Sequence, residues 1–405
     1  MSRLIFHIDV NSAFLSWTAV ERLRQGDPVD LREIPSIIGG DKEKRHGIVL
    51  AKSIPAKAFH IQTGEPIVHA LEKCRTLTIA PPDHAMYHEK SRILMNYLKE
   101  LTPDIEQVSI DECYLDFTSI AGNYESPIAA ATQIKDTIYR TMGFTVNVGI
   151  SDCKVLAKMA SDFKKPNLVH TLFRHEIQKK MWPLPVSSLY MCGRSSVEEL
   201  RKLEILTIGD LARANPDIVA LHLKSHGKLL WEYANGMDDS RVESIPEAAK
   251  GIGNSTTLSK DAEDLDTINE VLLALSDSVA SRLRKAGSLA YMVSVEVKYN
   301  TFKKNSHQTT LVSPTDASNT IYNTACQLFK ELWDGTPVRL LGIRTSKLVD
   351  IAEPVQMSLL DLVPEQQTDA KNQKLDKALD AIRQKYGSSA VVRGSMLGSD
   401  YKFKK

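Results

Sequence analysis

Apolar and polar positions alternate in recognisable blocks along the chain. Residues 3–10 (RLIFHIDV) read as a buried strand, and residues 11–24 as a helix stopped by Gly26-Asp27-Pro28. Residues 34–38 and 47–51 read as strands around Gly39-Gly40-Asp41, Pro66 opens a short helix, and Pro81-Pro82 breaks the chain. Helical spacing returns at 84–100, followed by paired strands at 105–109 and 112–117, a helix at 127–142, a strand at 144–150 and a helix at 153–163. This β-α-β-β-α-β order predicts a ferredoxin-like domain in which residues 11–74 form a small inserted lobe. Residues 166–240 read as short helices with polar breaks, and 241–250 as a linker. A second unit follows: a strand at 252–258, a helix at 265–286, strands at 290–299 and 304–312, a helix at 316–334 and a strand at 338–346. Its first helix carries Ile268, Val271, Leu272, Leu275, Val279 and Leu283 on one stripe. Beyond 350 the chain turns polar, with a last helix expected at 370–386.

The chain has 405 residues, enough for two to four domains, and 42% of them are hydrophobic and 25% charged, as in ordinary globular proteins. No run approaches the roughly 20 apolar residues of a membrane span. The apolar N-terminus is interrupted by Asp9 and lacks a small-residue cleavage site, so a cytosolic location is expected. The five cysteines are odd in number and lack C-x-x-C spacing, which argues against a disulfide framework or a zinc site. A net charge of +1 counts mildly against nucleic-acid binding, unless charges of opposite sign segregate to different faces.

Two acidic motifs about a hundred residues apart carry the candidate chemistry: His7-Ile8-Asp9-Val10-Asn11-Ser12-Ala13-Phe14 and Ser109-Ile110-Asp111-Glu112-Cys113-Tyr114-Leu115-Asp116. If their strands are neighbours, Asp9, Asp111 and Glu112 converge, and three carboxylates at one point repel unless a cation lies between them. Hard oxygen donors suit Mg²⁺, and such a cluster is the working part of two-metal phosphoryl transfer. His7 reads as a strand histidine with a satisfied ring, and Cys113 as a core thiol without an adjacent base. Cys192-Gly193-Arg194 and Ile208-Gly209-Asp210-Leu211 have the look of a helix-hairpin-helix that holds DNA phosphate on backbone N–H groups. Lys298, Lys303, Lys304 and His307 cluster near a turn, where they read either as DNA-backbone contacts or as an ordinary charged hairpin.

Together with AKSIPAKAFHIQTGEPI (51–67) and VGISDCKVLAKMASDFKKPN (148–167), these motifs resemble the Y-family (translesion) DNA polymerases of the DinB/UmuC type. The resemblance implies a multi-domain α+β right hand: palm at 1–10 and 75–165, fingers at 11–74, thumb at 166–240, α/β little finger at 251–350 and a flexible tail at 351–405. It implies that Asp9, Asp111, Glu112 and the main-chain carbonyl of Val10 hold two Mg²⁺ ions, for which Mn²⁺ could substitute. It makes Phe14 the aromatic steric gate against a 2′-hydroxyl, and puts the N–H groups near Ala13 and Phe14, with Lys57 and Lys165, on the triphosphate. The segment Gln356-Met357-Ser358-Leu359-Leu360 resembles a sliding-clamp-binding peptide, with a polar anchor and two leucines for an apolar pocket. The implied partners are primer-template DNA, a dNTP and the clamp, with a monomeric protein and no membrane. This sequence departs from the family pattern at Asn11, Ala13, Ile54, Lys57 and Met191, where the family commonly has Asp, an aromatic, Tyr, Arg and Gly. Low-fidelity, DNA-templated synthesis is the expected activity. A palm-type nucleotide cyclase and a non-catalytic or accessory-dependent DNA- and clamp-binding relative are the alternatives.

Overall fold

The computed structural model describes residues 3–40, 47–352, 366–387, 390–391 and 393–394, which fall into two compact units meeting in sequence at Pro246 and Glu247. Unit 1 contains, in chain order, β1 (Ile5–Val10), α1 (Ala13–Arg24), β2 (Ser36–Gly39), β3 (Val49–Lys52), α2 (Ile54–Ala58), α3 (Ile67–Lys73), β4 (Thr78–Ala80), α4 (His84–Leu101), β5 (Ile105–Gln107), β6 (Glu112–Asp116), α5 (Pro127–Met142), β7 (Val146–Ser151), α6 (Lys154–Ser161), β8 (Val169–Thr171), α7 (Ile177–Lys180), α8 (Arg194–Lys202), α9 (Ile208–Arg213) and α10 (Pro216–Ala234).

The main sheet has the order β5-β6-β1-β7-β8, and its first four strands pair antiparallel. With α4 and α5 as the connections, this is the expected ferredoxin-like arrangement, with β8 added as a parallel edge. β1 is central, so both of its faces are covered. Phe6, Ile8 and Val10 share a core with Leu94, Leu98, Ile134 and Ile138 of α4 and α5, while Ile5 packs on the other face against Tyr114 and Ala157 of α6. Period-2 alternation therefore sends His7 and Asp9 to the α6 face.

α6 can lie close because residue 149 is glycine: a Cβ there would come within 2.0 Å of Ala157 O and 2.5 Å of Ser161 N. The inserted lobe carries a three-stranded sheet of order β3-β2-β4, so its third strand lies beyond residue 74, the expected end of the insertion. β4 and β8 have only three residues each, too few for a periodic signal in sequence.

Unit 2 contains β9 (Gly251–Ala262), α11 (Leu265–Lys285), β10 (Ser288–Tyr299), β11 (Lys304–Thr315), α12 (Ser318–Leu332), β12 (Val338–Asp350) and α13 (Gln366–Tyr386). Its antiparallel sheet runs β11-β10-β12-β9. The apolar stripe of α11 is buried as its spacing predicts, against Val293, Val295, Val297, Leu341 and Ile343. The last helix, expected at 370–386, runs Gln366–Tyr386 and docks on α11, so this part of the expected flexible tail is held in place. Arg284 of α11 reaches Asp380 at 2.6 Å and Asp376 at 3.2 Å on α13, and a buried guanidinium persists only when so paired. No described helix is long and apolar enough to cross a membrane. All five cysteines are free, and Cys113 is fully buried, as expected of a core thiol.

The close approach of α6 to β7 generates a prediction. Gly149→Ala should destabilise unit 1 by about 3 kcal/mol, the upper range for overpacking, because the clash is with backbone. Urea unfolding checks this; an unchanged midpoint would mean that α6 can retreat.

Candidate active site

Asp9 of β1 stands directly opposite Glu112 of β6 in the ladder. Asp111 ends the turn before β6, and its carbonyl accepts from the Val10 N–H at 3.0 Å. The β1–β6 pairing thus brings Asp9, Asp111, Glu112 and Val10 to one end of the sheet, while Asp116, opposite Ile5, stands at the other. The side chains do not form a closed cage: among the described residues, no three acidic, histidine or cysteine side chains meet at metal-holding distances. Each carboxylate is held by its own partner instead. Ser109 Oγ donates to Asp111 Oδ1 at 2.6 Å, Lys165 Nζ to Asp9 Oδ1 at 2.9 Å, and Lys158 Nζ to Glu112 Oε2 at 2.6 Å.

Burial pushes the Asp111 carboxyl above its usual range, and the neighbouring Asp9 and Glu112 charges add to the push. The facing His7 ring and the Lys158 ammonium hold Glu112 down to about 2. The geometry gives Lys158 the larger share, since His7 Nε2 lies 3.5 Å from Glu112 Oε2 and Lys158 Nζ lies at 2.6 Å. Burial alone would lower the Lys158 pKa, but its carboxylate contacts outweigh that and raise it, and the same balance raises Lys165. Three hard oxygen donors, one of them short of compensating charge, suit a divalent cation.

His7 departs from expectation. Its Nδ1 meets Ser161 Oγ at 2.8 Å, but its buried Nε2 faces Glu112 Oε2 at 3.5 Å without the geometry of a hydrogen bond, so the ring is half satisfied. Burial lowers its pKa and keeps it neutral. The motif also concealed two groups. Lys158 and Asp162 sit four residues apart at the end of α6, a helical acid–base spacing visible in KMASD, and both join the carboxylate network.

Phe14 lies in the first turn of α1 and stacks on Tyr87, with ring centroids 4.4 Å apart at 5°. His84 approaches the same ring edge-on at 6.0 Å, so the position of Phe14 is fixed by an aromatic wall. Ala13 beside it is buried. Asn11 turns inward: its Nδ2 donates to Asn147 Oδ1 at 3.2 Å, and its Oδ1 accepts from the Asn167 N–H at 2.9 Å, which ties β1 to the Lys165 loop. Lys57 is exposed on α2 in the inserted lobe, and Ile54 at the start of that helix is 57% exposed and has no polar side-chain atom.

Gly193 is the exposed N-cap of α8, with open space where a Cβ would stand. Met191 before it holds φ at 68°, the left-handed region where the hairpin pattern calls for glycine. In unit 2, Lys298 lies over the Phe302 ring at 4.6 Å, Lys304 pairs with Glu296 at 3.0 Å, and Lys303 is exposed in the turn between β10 and β11. His307 pairs with Glu331 at 3.1 Å. The sheet face turned away from α11 and α12 forms a cavity of about 980 Å³ lined by small and polar groups, among them Asn254, Ser294, Gln308 and Arg344. Residues 356–360 lie outside the described residues.

Residues 8–162 match the impB/mucB/samB family, and residues 249–359 match the impB/mucB/samB family C-terminal domain. A DNA polymerase IV of Clostridium acetobutylicum is 45% identical over 99% of this chain and 100% of that protein. The chain belongs to the Y-family DNA polymerases, of the DinB type. Among other members, a DNA polymerase IV of Alkaliphilus oremlandii is 35% identical, covering 98% of this chain and 100% of that protein. DNA polymerase IV 1 of Bacillus subtilis is 34% identical, covering 98% and 94%. A solved Y-family DNA polymerase chimera superposes with a TM-score of 0.74 over 86% of this chain and 99% of its own, at 22% identity, which shows the shared multi-domain α+β fold.

The Glu112 contacts of this Y-family site set a pH dependence. A carboxyl held below its unfolded value stabilises the fold fully above about pH 4.3, and that contribution is lost as the pH falls toward the folded value of about 2. Lys158→Met removes the nearer counter-charge, so Glu112 should titrate at a higher pH and the acid limb of the stability curve should flatten. Carboxyl ¹³C NMR reads this directly; an unchanged Glu112 titration would assign the depression to His7 alone.

Proposed function

We propose that this Y-family chain is a DNA-templated DNA polymerase of low fidelity that extends a primer past damaged bases, using Asp9, Asp111 and Glu112 as metal ligands. The observation that carries the reading is the ladder pairing of Asp9 with Glu112, with Asp111 bonded through its backbone to Val10. The carboxylates and the Val10 carbonyl would hold two Mg²⁺ ions. Bound there, such ions would lower the pKa of the primer 3′-hydroxyl and offset the charge of the triphosphate. The carboxylates act as ligands, with none needed as a general base.

The remaining groups bind and orient. Lys165, beside Asp9, offers an ammonium to the triphosphate, and Lys57 a second from the inserted lobe. First-turn N–H groups at Ala13 and Phe14 have no intrahelical acceptor and suit phosphate oxygens. Phe14, locked against Tyr87, places a flat ring where a ribose 2′-hydroxyl would need room. Ile54 cannot donate a hydrogen bond, so triphosphate recognition in this chain falls to the lysines and the backbone.

In this reading residues 1–10 and 75–165, less the strand at 78–80, act as palm, 11–74 with that strand as fingers, 166–240 as thumb and 251–350 as little finger. The Gly193 turn and the open face of unit 2, with Lys298, Lys303 and Lys304 on the β10–β11 hairpin, track the DNA backbone. Gln356, Met357, Ser358, Leu359 and Leu360 recruit the replication sliding clamp. The protein works as a cytosolic monomer.

Primer extension on an undamaged template with Mg²⁺ and dNTPs tests the core of this reading. Wild-type protein should extend, and Asp111→Ala should lower the rate by about 10³-fold or more, the scale of several kcal/mol of lost charge stabilisation. DNA binding without extension would leave a clamp- and DNA-binding relative in place of an enzyme. The gate has its own outcome: Phe14→Ala should admit ribonucleotides that the wild type rejects, and unchanged sugar discrimination would remove Phe14 from that role.

A further inference from the structure

We propose that Asp162 is a positioning residue that keeps hold of Lys158 and Lys165 when divalent metal engages Asp9 and Glu112, so that metal binding proceeds by an exchange of partners. The inference rests on the metal-dependent reading above.

Lys158 Nζ lies 2.6 Å from Glu112 Oε2, 3.6 Å from Asp9 Oδ2 and 3.6 Å from Asp162 Oδ2. Lys165 Nζ lies 2.9 Å from Asp9 Oδ1 and 2.9 Å from Asp162 Oδ1. Each ammonium therefore touches carboxylate oxygen that metal would claim and carboxylate oxygen that it would not. Asp162 supplies the second kind to both. It occupies the C-cap position of α6, one residue beyond Ser161, and its side chain is 46% exposed.

A lysine ammonium and a divalent cation compete for the same lone pairs, and once the cation is in place it repels the ammonium. Lys158 has little freedom to leave, because its side chain is only 12% exposed and a buried ammonium without a partner is costly. Asp162 already contacts both lysines, so neither has to give up its last counter-charge when Asp9 and Glu112 turn to metal. Both ammonium groups then stay beside the site, with Lys165 free of Asp9 and available to phosphate. Without Asp162, the carboxylates contacting these two lysines are the metal ligands themselves, and cation binding must work against those ion pairs.

A plain through-space attraction between Asp162 and the cation would also favour metal binding, and a double-mutant cycle separates the two. Mn²⁺ binding by the full-length protein, without DNA or nucleotide, is followed by electron paramagnetic resonance. Asp162→Asn should weaken Mn²⁺ binding by about tenfold, within the range of coupled charge networks. Asp162→Glu should restore it to within about twofold. On a Lys165→Met background, Asp162→Asn should cost less than about threefold, because the nearer of the two ammonium groups it holds is gone and only the longer contact to Lys158 is left. An equal cost on both backgrounds, or no cost on either, overturns the proposal. Asp111→Ala serves as the control for the site: if Mn²⁺ binding is absent, or indifferent to Asp111→Ala, the metal reading fails and this inference falls with it. Binding that depends on Asp111 but ignores Asp162→Asn overturns this inference alone.

Discussion

Two carboxylates placed side by side on one face of a sheet repel each other, and the palm of this protein is organised around that constraint. Like charges directly opposite in an antiparallel ladder are destabilising. Asp9 and Glu112 hold that relation across β1 and β6. The position becomes tolerable because α6 lies on the same face and delivers Lys158 between them. α6 can lie there because β7 carries Gly149 opposite His7. One hydrogen atom in place of a side chain thus underlies the electrostatics of the site, two strands away from Glu112.

The total charge of this chain says little about where its exposed cations lie. A net charge of +1 gives no hint of a nucleic-acid enzyme. Yet in unit 2 residues 301–310 of the β10–β11 turn and edge strand are all exposed and include Lys303, Lys304 and His307. The apolar side of the same sheet is sealed by α11 and α12. An antiparallel sheet with one packed face and one open face can place polar contacts on the open side without loss of core.

Much of the fold was legible because its long elements are strongly periodic. The stripe on α11 and the buried run of β1 stand in the pattern of residues, and β5, though only three residues long, was legible because it pairs with β6 across a short turn. The short strands at 78–80 and 169–171 were not legible, since three residues complete no repeat and their pairing partners are distant in sequence. At the site, the three acidic residues were readable from the two motifs. The roles of Lys158 and Asp162 were not, because they arise only when α6 is laid across the sheet. The unpartnered Nε2 of His7 was equally hidden, as satisfaction of a ring depends on geometry at both of its nitrogens.

α1 belongs to two cores at once. Ala13, Trp17 and Val20 pack into the palm, while Leu15 and Ala19 pack against Leu31, Ile38, Ala51 and Ala80 of the inserted lobe. The helix is thus a shared wall between palm and lobe. Anyone exchanging the lobe between related enzymes would find no clean seam at residue 11: a transplant cut there carries half a packing interface and leaves the other half behind. The workable graft keeps α1 with its host and joins after Arg24, so that the aromatic stack of Phe14 on Tyr87 stays native while the surface above it is rebuilt.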